Sequence, residues 1–307
     1  MSNNTIKQLL LLILLLIGIL PIYAQTEEPE PAWDGQSRFT VLVLGMDRRP
    51  SEGDTLAVRT DAMILVSIDP VNQRMGILHF PRDLFMIPPN NSDYVRINTL
   101  LQDGNYQQEG YGVYWIMDTF QLNLGMYIDR YVLFDFEAFI TLIDALGGIE
   151  ITTGYPIYDD AFPDMNWGYD PFELPAGTHL LNGYQALQFA RTRHQDGDIQ
   201  RGERQIMVMT AVQQKLTDPD IFMDLLTQAP TLYNELQGDV YTDLTLNDII
   251  QLAYYIRLIP PENITTASLD ENYQARFVRG SGGVIHTPDY ALLPELLIQV
   301  FGEDYNQ

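Results

Sequence analysis

The chain has 307 residues and a formal net charge of −24 at pH 7. A protein this acidic disfavours the phosphates of nucleic acids, so we expect no nucleic acid among its partners. The absence of cysteine excludes disulfides, thiolate metal sites and a cysteine nucleophile. A hydrophobic content of 46% is enough for a sizeable core.

The first 24 residues have the pattern of a secretory signal. Lys7 precedes an apolar run at residues 9–20, and Ala24 offers a small residue at a plausible cleavage point. The run is short for a membrane span, so we interpret residues 1–24 as a signal peptide or a short membrane anchor. Residues 25–36 are acidic and contain prolines, which indicates a linker. We therefore expect an exported domain at the outer face of the cytoplasmic membrane, anchored or secreted.

Three apolar segments, residues 39–44, 62–68 and 75–80, predict three strands. Turn-forming residues at 69–73 predict that the second and third strands form an antiparallel hairpin. If the first pair is also antiparallel, one edge of the sheet collects the polar residues that flank the strands. These residues are Asp47, Arg59, Asp61, Arg82 and Asp83.

Helices and strands alternate along the rest of the chain. We expect helices at residues 112–124, 136–146, 182–189, 244–258 and 290–301, and strands at 131–134, 149–151 and within 264–286. Asp135 and Asp198 are expected helix caps. Residues 159–175, rich in proline, aspartate and aromatics, predict a long surface loop with solvated acids. This alternation predicts the α/β class, with a mixed sheet covered by helices.

Arginine is concentrated in a few short stretches. Nine of the fifteen arginines are Arg48, Arg49, Arg59, Arg82, Arg96, Arg191, Arg193, Arg201 and Arg204. Guanidinium binds phosphate bidentately and stays charged at biological pH. Arg201, Arg204 and Gln205 are spaced to share one face of a helix. A local ion pair explains any single arginine, whereas several that meet at one place indicate a phosphate site.

Five motifs occur in a characteristic order: LGMDRR at 44–49, RTD at 59–61, FPRD at 80–83, RIN at 96–98, and the long block at 181–205. Together they resemble the LytR–CpsA–Psr family over about residues 38–216. Phe80 departs from the family, in which a small polar or aliphatic residue is commoner. The resemblance implies a three-layer α/β/α sandwich with a central mixed sheet, and residues 37–307 as a catalytic domain. It also implies a magnesium-assisted phosphotransferase that moves an anionic glycopolymer from a polyprenyl-pyrophosphate carrier to peptidoglycan.

The resemblance implies roles for individual residues. Asp47 and Asp61 match the metal-site carboxylates, for Mg²⁺ or alternatively Mn²⁺. Arg82, Asp83 and Arg96 are the expected catalytic residues, with Asp83 either a base or a partner that holds Arg82. The implied pyrophosphate ligands are Arg59, Arg82, Arg96, Arg191, Arg193, Arg201, Arg204 and Gln205. In this role the arginines would stabilise the charge that develops as the phosphoryl bond breaks.

The sequence leaves alternatives open. A pyrophosphate hydrolase, a non-catalytic carrier-lipid binder and a regulator are rival functions, and export and acidity argue against the regulator. The apolar helix at residues 136–146 fits either a prenyl groove or the core. Tyr155, Trp167 and Tyr169 fit either a sugar-stacking platform or an ordinary loop. We interpret none of the four scattered histidines as a ligand: His79, His179, His194 and His286.

Overall fold

The computed structural model describes residues 33–165 and 168–306. The expected signal peptide or anchor at 1–24 lies outside the described residues, as does the linker up to residue 32. Trp33 is buried against the rings of Phe39 and Tyr255, so the fold includes residues that we predicted to be linker. Among the described helices, none is both long and apolar enough to span a bilayer.

The strands of the described chain are short outside the central sheet. They are β1 (Phe39–Met46), β2 (Thr60–Asp69), β3 (Arg74–His79), β4 (Phe85–Met86), β5 (Val95–Arg96), β6 (Arg130–Phe134), β7 (Ile149–Thr153), β8 (Ile157–Asp159), β9 (Phe172–Leu174), β10 (Gly177–Leu181), β11 (Val240–Thr242), β12 (Ile264–Ser268), β13 (Gln274–Val278) and β14 (Val284–Pro288). The helices are α1 (Leu100–Gln107), α2 (Tyr111–Leu124), α3 (Phe136–Ala145), α4 (Gly183–Arg191), α5 (Asp198–Thr217), α6 (Pro219–Glu235), α7 (Leu246–Leu258) and α8 (Leu293–Phe301).

The central sheet has six strands in the order β11-β6-β1-β2-β3-β12. β1 is antiparallel to β2, and β2 is antiparallel to β3, which confirms the strand directions expected from the sequence. β6 runs parallel to β1 and β12 parallel to β3, whereas β11 is antiparallel to β6. The sheet is therefore mixed, as predicted.

Helices cover both faces of this sheet. Successive side chains of a strand point to opposite faces, so Leu42 and Leu44 enter the core that contains Phe120 of α2. Val41 enters the opposite core, which contains Leu252 of α7. Burial on both sides explains why β1 is a continuous apolar run rather than an alternating one. The fold is the predicted three-layer α/β/α sandwich.

The segment at residues 159–175 corrects our prediction of a surface loop with solvated acids. β8 and β9 form an antiparallel pair, and Phe162 and Phe172 are buried between these strands and the neighbouring helices. Asp159 is buried, and Asp170 accepts a hydrogen bond of 2.7 Å from Tyr184 Oη. The aromatic residues build a small core here, so the prolines and aspartates do not indicate an exposed loop. Trp167 lies outside the described residues.

Capping residues mark the first turns of the helices α3, α4 and α5. Asp135 accepts a hydrogen bond from the Ala138 amide at the start of α3, as predicted. Asn182 and Gln185 form a capping box at the start of α4. The prediction for α5 was wrong, because Gly197 is the N-cap and Asp198 is the first helical residue. The Asp198 carboxylate faces arginines instead of capping the helix.

Candidate functional site

The strand ends bring the first part of the site together. Asp47 follows β1, and its amide donates to the Arg59 carbonyl with a distance of 2.9 Å. Asp61 is the second residue of β2 rather than a residue before the strand. Arg82 follows β3, and its Nη1 lies 2.6 Å from Asp61 Oδ2. The predicted convergence of Asp47, Asp61 and Arg82 at one sheet edge is therefore present.

The end of α4 adds a second cation to this edge. Arg191 is the last residue of α4, and its Nη2 lies 3.7 Å from Asp47 Oδ1. The guanidinium sits over the Phe136 ring at 3.9 Å from the ring centre. Stacking and ion pairing fix the plane of this cation, so it is held in place for a ligand.

Asp198, which we predicted only as a helix cap, is a carboxylate that three arginines share. Its Oδ1 lies 3.2 Å from Arg201 Nη1 and 3.7 Å from Arg193 Nη1. Its Oδ2 lies 3.5 Å from Arg82 Nε. Asp198 therefore holds together arginines from three separate parts of the chain.

These side chains line a cavity of about 310 Å³. The charged and polar residues of its wall are Asp47, Arg49, Asp61, Arg82, Asp135, Asp159, Arg191, Arg193, His194, Arg201 and Gln205. The apolar residues of the same wall include Val43, Met46, Ile64, Phe134, Phe136, Phe139, Leu187, Ala190, Val208 and Met209. The volume is within the usual range for small-molecule sites. Phe136 and Phe139 of α3 line the cavity, whereas Ile143 of the same helix packs in the core, and a prenyl groove along this helix stays a prediction.

Several polar atoms at this cavity have no hydrogen-bond partner among the described residues. They are Asp47 Oδ1, Arg82 Nε, Arg191 Nη1, Arg201 Nε and Gln205 Oε1. Buried donors without an acceptor are destabilising, and native proteins satisfy nearly all of them. The three guanidinium N–H groups are therefore suited to donate hydrogen bonds to an anionic ligand.

Burial and neighbouring charges shift the pKa values of several side chains at the site. Desolvation lowers the pKa of Arg191 and Arg201. Burial also raises the pKa of Asp47, and the charge of Asp61 raises it further. For Arg82, burial acts to lower the pKa, but Asp61, Asp198 and Asp83 outweigh it and raise the pKa. An anion beside the arginines would thus compensate charges that the fold has removed from water.

Four of the site residues predicted from the sequence lie outside the cavity wall, and three of them are exposed. Arg59 is exposed. Arg96 is 45% exposed, lies 3.4 Å from Asp83 and sits over the Phe85 ring. Asp83 is 52% exposed and lies 3.9 Å from Arg82 Nε. This geometry makes Asp83 a partner of arginines and supports that alternative over the base.

Arg204 is also outside the cavity wall. It is 2% exposed, and its Nη1 and Nη2 lie 2.7 and 3.0 Å from the two oxygens of Asp196. Nη2 also donates to the Thr192 carbonyl. At 100° per residue, Arg204 and Gln205 diverge on the helix, so Gln205 reaches the cavity with Arg201 and Arg204 does not. The geometry therefore gives Arg204 the role of bracing the loop at 192–196.

Asp47 and Asp61 are the candidate metal ligands. Within the described part of the chain, no group of three or more His, Asp or Glu side chains is placed to hold a metal ion. Both aspartates nonetheless line the cavity, and Asp47 Oδ1 has no hydrogen-bond partner among the described residues. Mg²⁺ often takes one or two protein carboxylates together with substrate phosphate oxygens and water. The pair therefore fits Mg²⁺ when a phosphate supplies further ligands.

Two histidines have hydrogen-bond partners that we did not predict from the sequence. His194 lines the cavity, and its Nδ1 lies 2.6 Å from Asp159 Oδ1. His79 is buried, with its Nδ1 2.9 Å from Ser268 Oγ, and burial together with Arg201 lowers its pKa to about 3. The one available signal for His194 was its position directly after Arg193. Its partner Asp159 is 35 residues away, so only the fold reveals the pair.

The sequence matches proteins with named activities. The chain is 26% identical over 284 residues to the polyisoprenyl-teichoic acid–peptidoglycan teichoic acid transferase TagU of Halalkalibacterium halodurans, which covers 91% of this chain and 83% of the relative. It is 30% identical over 223 residues to the corresponding transferase TagT of Bacillus subtilis, which covers 72% of this chain. The chain spans 65% of the TagT relative's length.

Solved structures share the fold. The crystal structure of B. subtilis TagV has a TM-score of 0.69 and 22% identity, and the match covers 88% of this chain and 98% of TagV. TagT bound to LIIa-WTA has a TM-score of 0.63 and 22% identity, with coverage of 87% and 91%. The LytR_cpsA_psr family model matches residues 22–291, a range that includes every residue of the cavity wall. Motifs, fold and cavity agree with this match, and the chain belongs to the LytR–CpsA–Psr family.

Proposed function

We propose that this chain transfers an anionic glycopolymer, with its phosphate, from a polyprenyl-pyrophosphate carrier to peptidoglycan. One observation carries the proposal: Arg82, Arg191 and Arg201 present N–H groups that have no hydrogen-bond partner among the described residues, at a cavity that is also lined by apolar side chains. A prenyl pyrophosphate needs cations for its phosphates and an apolar surface for its chain. The transferase names of the relatives support the same reaction.

The guanidinium groups would stabilise the reacting phosphates, because neighbouring side chains already hold these groups in place. Arg82 is held by Asp61 and Asp198, and Arg191 is held by Asp47 and the Phe136 ring. An acceptor hydroxyl forms the new bond to the phosphorus of the glycan phosphate. The bond from that phosphorus to the prenyl phosphate breaks, and prenyl phosphate leaves with the electron pair. Cations fixed before the reaction stabilise this developing charge without reorganisation.

We propose that Asp47 and Asp61 hold Mg²⁺, with Mn²⁺ as the alternative, when pyrophosphate is bound. When bound, the ion would neutralise phosphate charge and fix the geometry of the phosphate oxygens. Calorimetric titration of Mg²⁺ with pyrophosphate present should show binding that Asp47→Asn and Asp61→Asn each abolish. Asp224→Asn, at an exposed position on α6, is the matched control and should bind Mg²⁺ as the parent does. Unchanged Mg²⁺ affinity in both site variants would remove this assignment.

We also propose that the domain acts at the outer face of the cytoplasmic membrane, either anchored or released. Support comes from the signal-like sequence of residues 1–24. A reporter that functions only outside the cytoplasm should be active when it is fused after Gln307, and a reporter that functions only in the cytoplasm should be inactive. Washed membranes that retain the protein would indicate an anchor, and a soluble envelope fraction would indicate cleavage. Reporter activity confined to the cytoplasm contradicts the proposal.

Transfer differs from hydrolysis in the acceptor alone. The deciding assay gives the purified protein a lipid-linked glycan, Mg²⁺ and peptidoglycan oligomers, and identifies the products by mass spectrometry. Glycan joined to the oligomer through a phosphodiester is the expected product. Free glycan phosphate at a rate independent of the oligomer would make the protein a hydrolase, and binding without turnover would make it a carrier-lipid binder.

A further inference from the structure

Transfer to a hydroxyl needs a group that removes the hydroxyl proton. The carboxylates predicted for the site are engaged with arginines. Asp61 lies 2.6 Å from Arg82 and Asp47 lies 3.7 Å from Arg191. Asp83 is outside the cavity wall and lies 3.4 Å from Arg96. Asp47 and Asp61 are also the proposed Mg²⁺ ligands, so the site calls for a proton acceptor other than these carboxylates.

His194 and Asp159 have the geometry of such an acceptor. Both line the same cavity as Asp61, Arg82 and Arg191. The Asp159 side chain is 1% exposed, and its Oδ1 lies 2.6 Å from His194 Nδ1. Beside an ionised carboxylate, the neutral imidazole donates in the tautomer that has its proton on Nδ1. The other ring nitrogen, Nε2, then holds the lone pair that can take a proton.

The rest of the loop fixes this pair. Thr192 Oγ1 donates to Asp159 Oδ2 with a distance of 2.5 Å. Arg204 donates hydrogen bonds to the Thr192 carbonyl and to Asp196, so it fixes both ends of the loop at 192–196. Gln195 Oε1 accepts a hydrogen bond of 2.8 Å from the amide of Tyr158, which ties the loop to β8.

The two members of the pair differ sharply in exposure. Asp159 is buried, whereas 48% of the His194 side chain is exposed beside the cavity. A buried carboxylate that orients a half-exposed imidazole is the arrangement expected when the imidazole must meet a ligand from solution. Because His194 is half exposed and lines the cavity, an acceptor hydroxyl from solution can reach its ring.

We propose that Asp159 and His194 form a dyad in which His194 is the general base for the acceptor hydroxyl. This inference rests on the proposed transferase function and identifies its proton acceptor. As the acceptor oxygen forms its bond to phosphorus, His194 Nε2 takes the hydroxyl proton. The phosphorus–oxygen bond to the prenyl phosphate breaks, and its electron pair leaves with the prenyl phosphate. Asp159 stabilises the imidazolium, which then returns the proton to water.

The test separates binding from turnover. His194→Gln and Asp159→Asn should bind a soluble prenyl pyrophosphate within twofold of the parent. Their transfer rates should fall by roughly 100- to 10,000-fold for His194→Gln, the usual contribution of a general base, and by less for Asp159→Asn. His286→Gln removes an exposed imidazole on β14, outside the cavity wall, and should transfer at the parent rate. If Asp159→Asn does not fold, the half-exposed His194 carries the test alone.

Chemical rescue distinguishes a general base from a structural residue, because added imidazole can replace a missing base but does not repair a structural defect. Imidazole added to His194→Gly should restore transfer in proportion to its concentration, and substituted imidazoles of higher basicity should restore it faster. Transfer by His194→Gln at the parent rate would overturn the dyad, as would parallel loss of lipid binding and transfer without rescue. A parent protein that neither binds the lipid nor transfers glycan would instead overturn the proposed function.

Discussion

Replacing Arg204 with methionine tests whether this arginine is a phosphate ligand or a structural brace. The family resemblance implies the first role, and the geometry supports the second. Arg204 is buried, makes two ion-pair contacts of 2.7 and 3.0 Å with Asp196, and donates to the Thr192 carbonyl. Methionine keeps most of the side-chain volume but leaves Asp196 and this carbonyl without their donor.

The expected cost follows from burial. Removing one partner of a buried ion pair costs about 3–5 kcal/mol. Asp196 keeps 16% of its side chain exposed, so about 3 kcal/mol, the lower end of this range, is the expected loss in the free energy of unfolding. For a domain of this size the loss corresponds to roughly 6–12 °C in melting temperature. The double variant Arg204→Met with Asp196→Leu should recover most of it, because no buried charge then lacks a partner.

Urea unfolding of the parent, both single variants and the double variant gives the coupling energy directly. Arg276→Met, at an exposed position on β13, is the control and should stay within about 0.5 kcal/mol of the parent. Binding of a soluble prenyl pyrophosphate is measured in parallel below the melting temperature. If Arg204→Met keeps the parent stability while lipid binding falls at least tenfold, the brace assignment is refuted and Arg204 is a phosphate ligand.

Three further outcomes are expected. Arg191→Lys loses both the guanidinium fork and the stacking on Phe136, so calorimetry should show roughly 10- to 100-fold weaker binding of a prenyl pyrophosphate; equal affinity would make Arg191 structural. Asp47→Asn should raise the melting temperature of the ligand-free protein at pH 7, because burial and Asp61 raise the pKa of Asp47 and its ionised form destabilises the fold. The gain should disappear as the pH falls below the ordinary value of 3.8, where Asp47 is protonated in both states; a gain independent of pH would contradict this. Gly202→Ala places a methyl group 2.4 Å from Cε1 of the buried His79 and should cost about 1–3 kcal/mol in urea unfolding, with His79→Ala restoring part of the loss; no loss in the single variant would show that α5 can shift.

The arginine-rich site was predictable where local order brings residues together. Asp61 lies at the start of β2 and Arg82 follows β3, and a short hairpin joins the two strands, so their antiparallel direction places both residues at one edge. Arg201 and Gln205 are four residues apart on one helix and share a face. The apolar wall was not predictable, because Val43, Phe139 and Met209 come from three elements that meet only when the sandwich forms.

The sequence by itself determined the family, the mixed α/β sandwich and the edge at which the first carboxylates and arginines meet. Apolar periodicity and turn residues involve positions close in sequence, so the elements they form can be predicted from the sequence alone. The tertiary structure decided the rest. Residues 159–175, which we predicted to be a surface loop, contribute to a small core. Arg204 is buried against Asp196. The tertiary structure also joined His194 to Asp159 across 35 residues, because side chains distant in sequence meet only where packing brings their elements together.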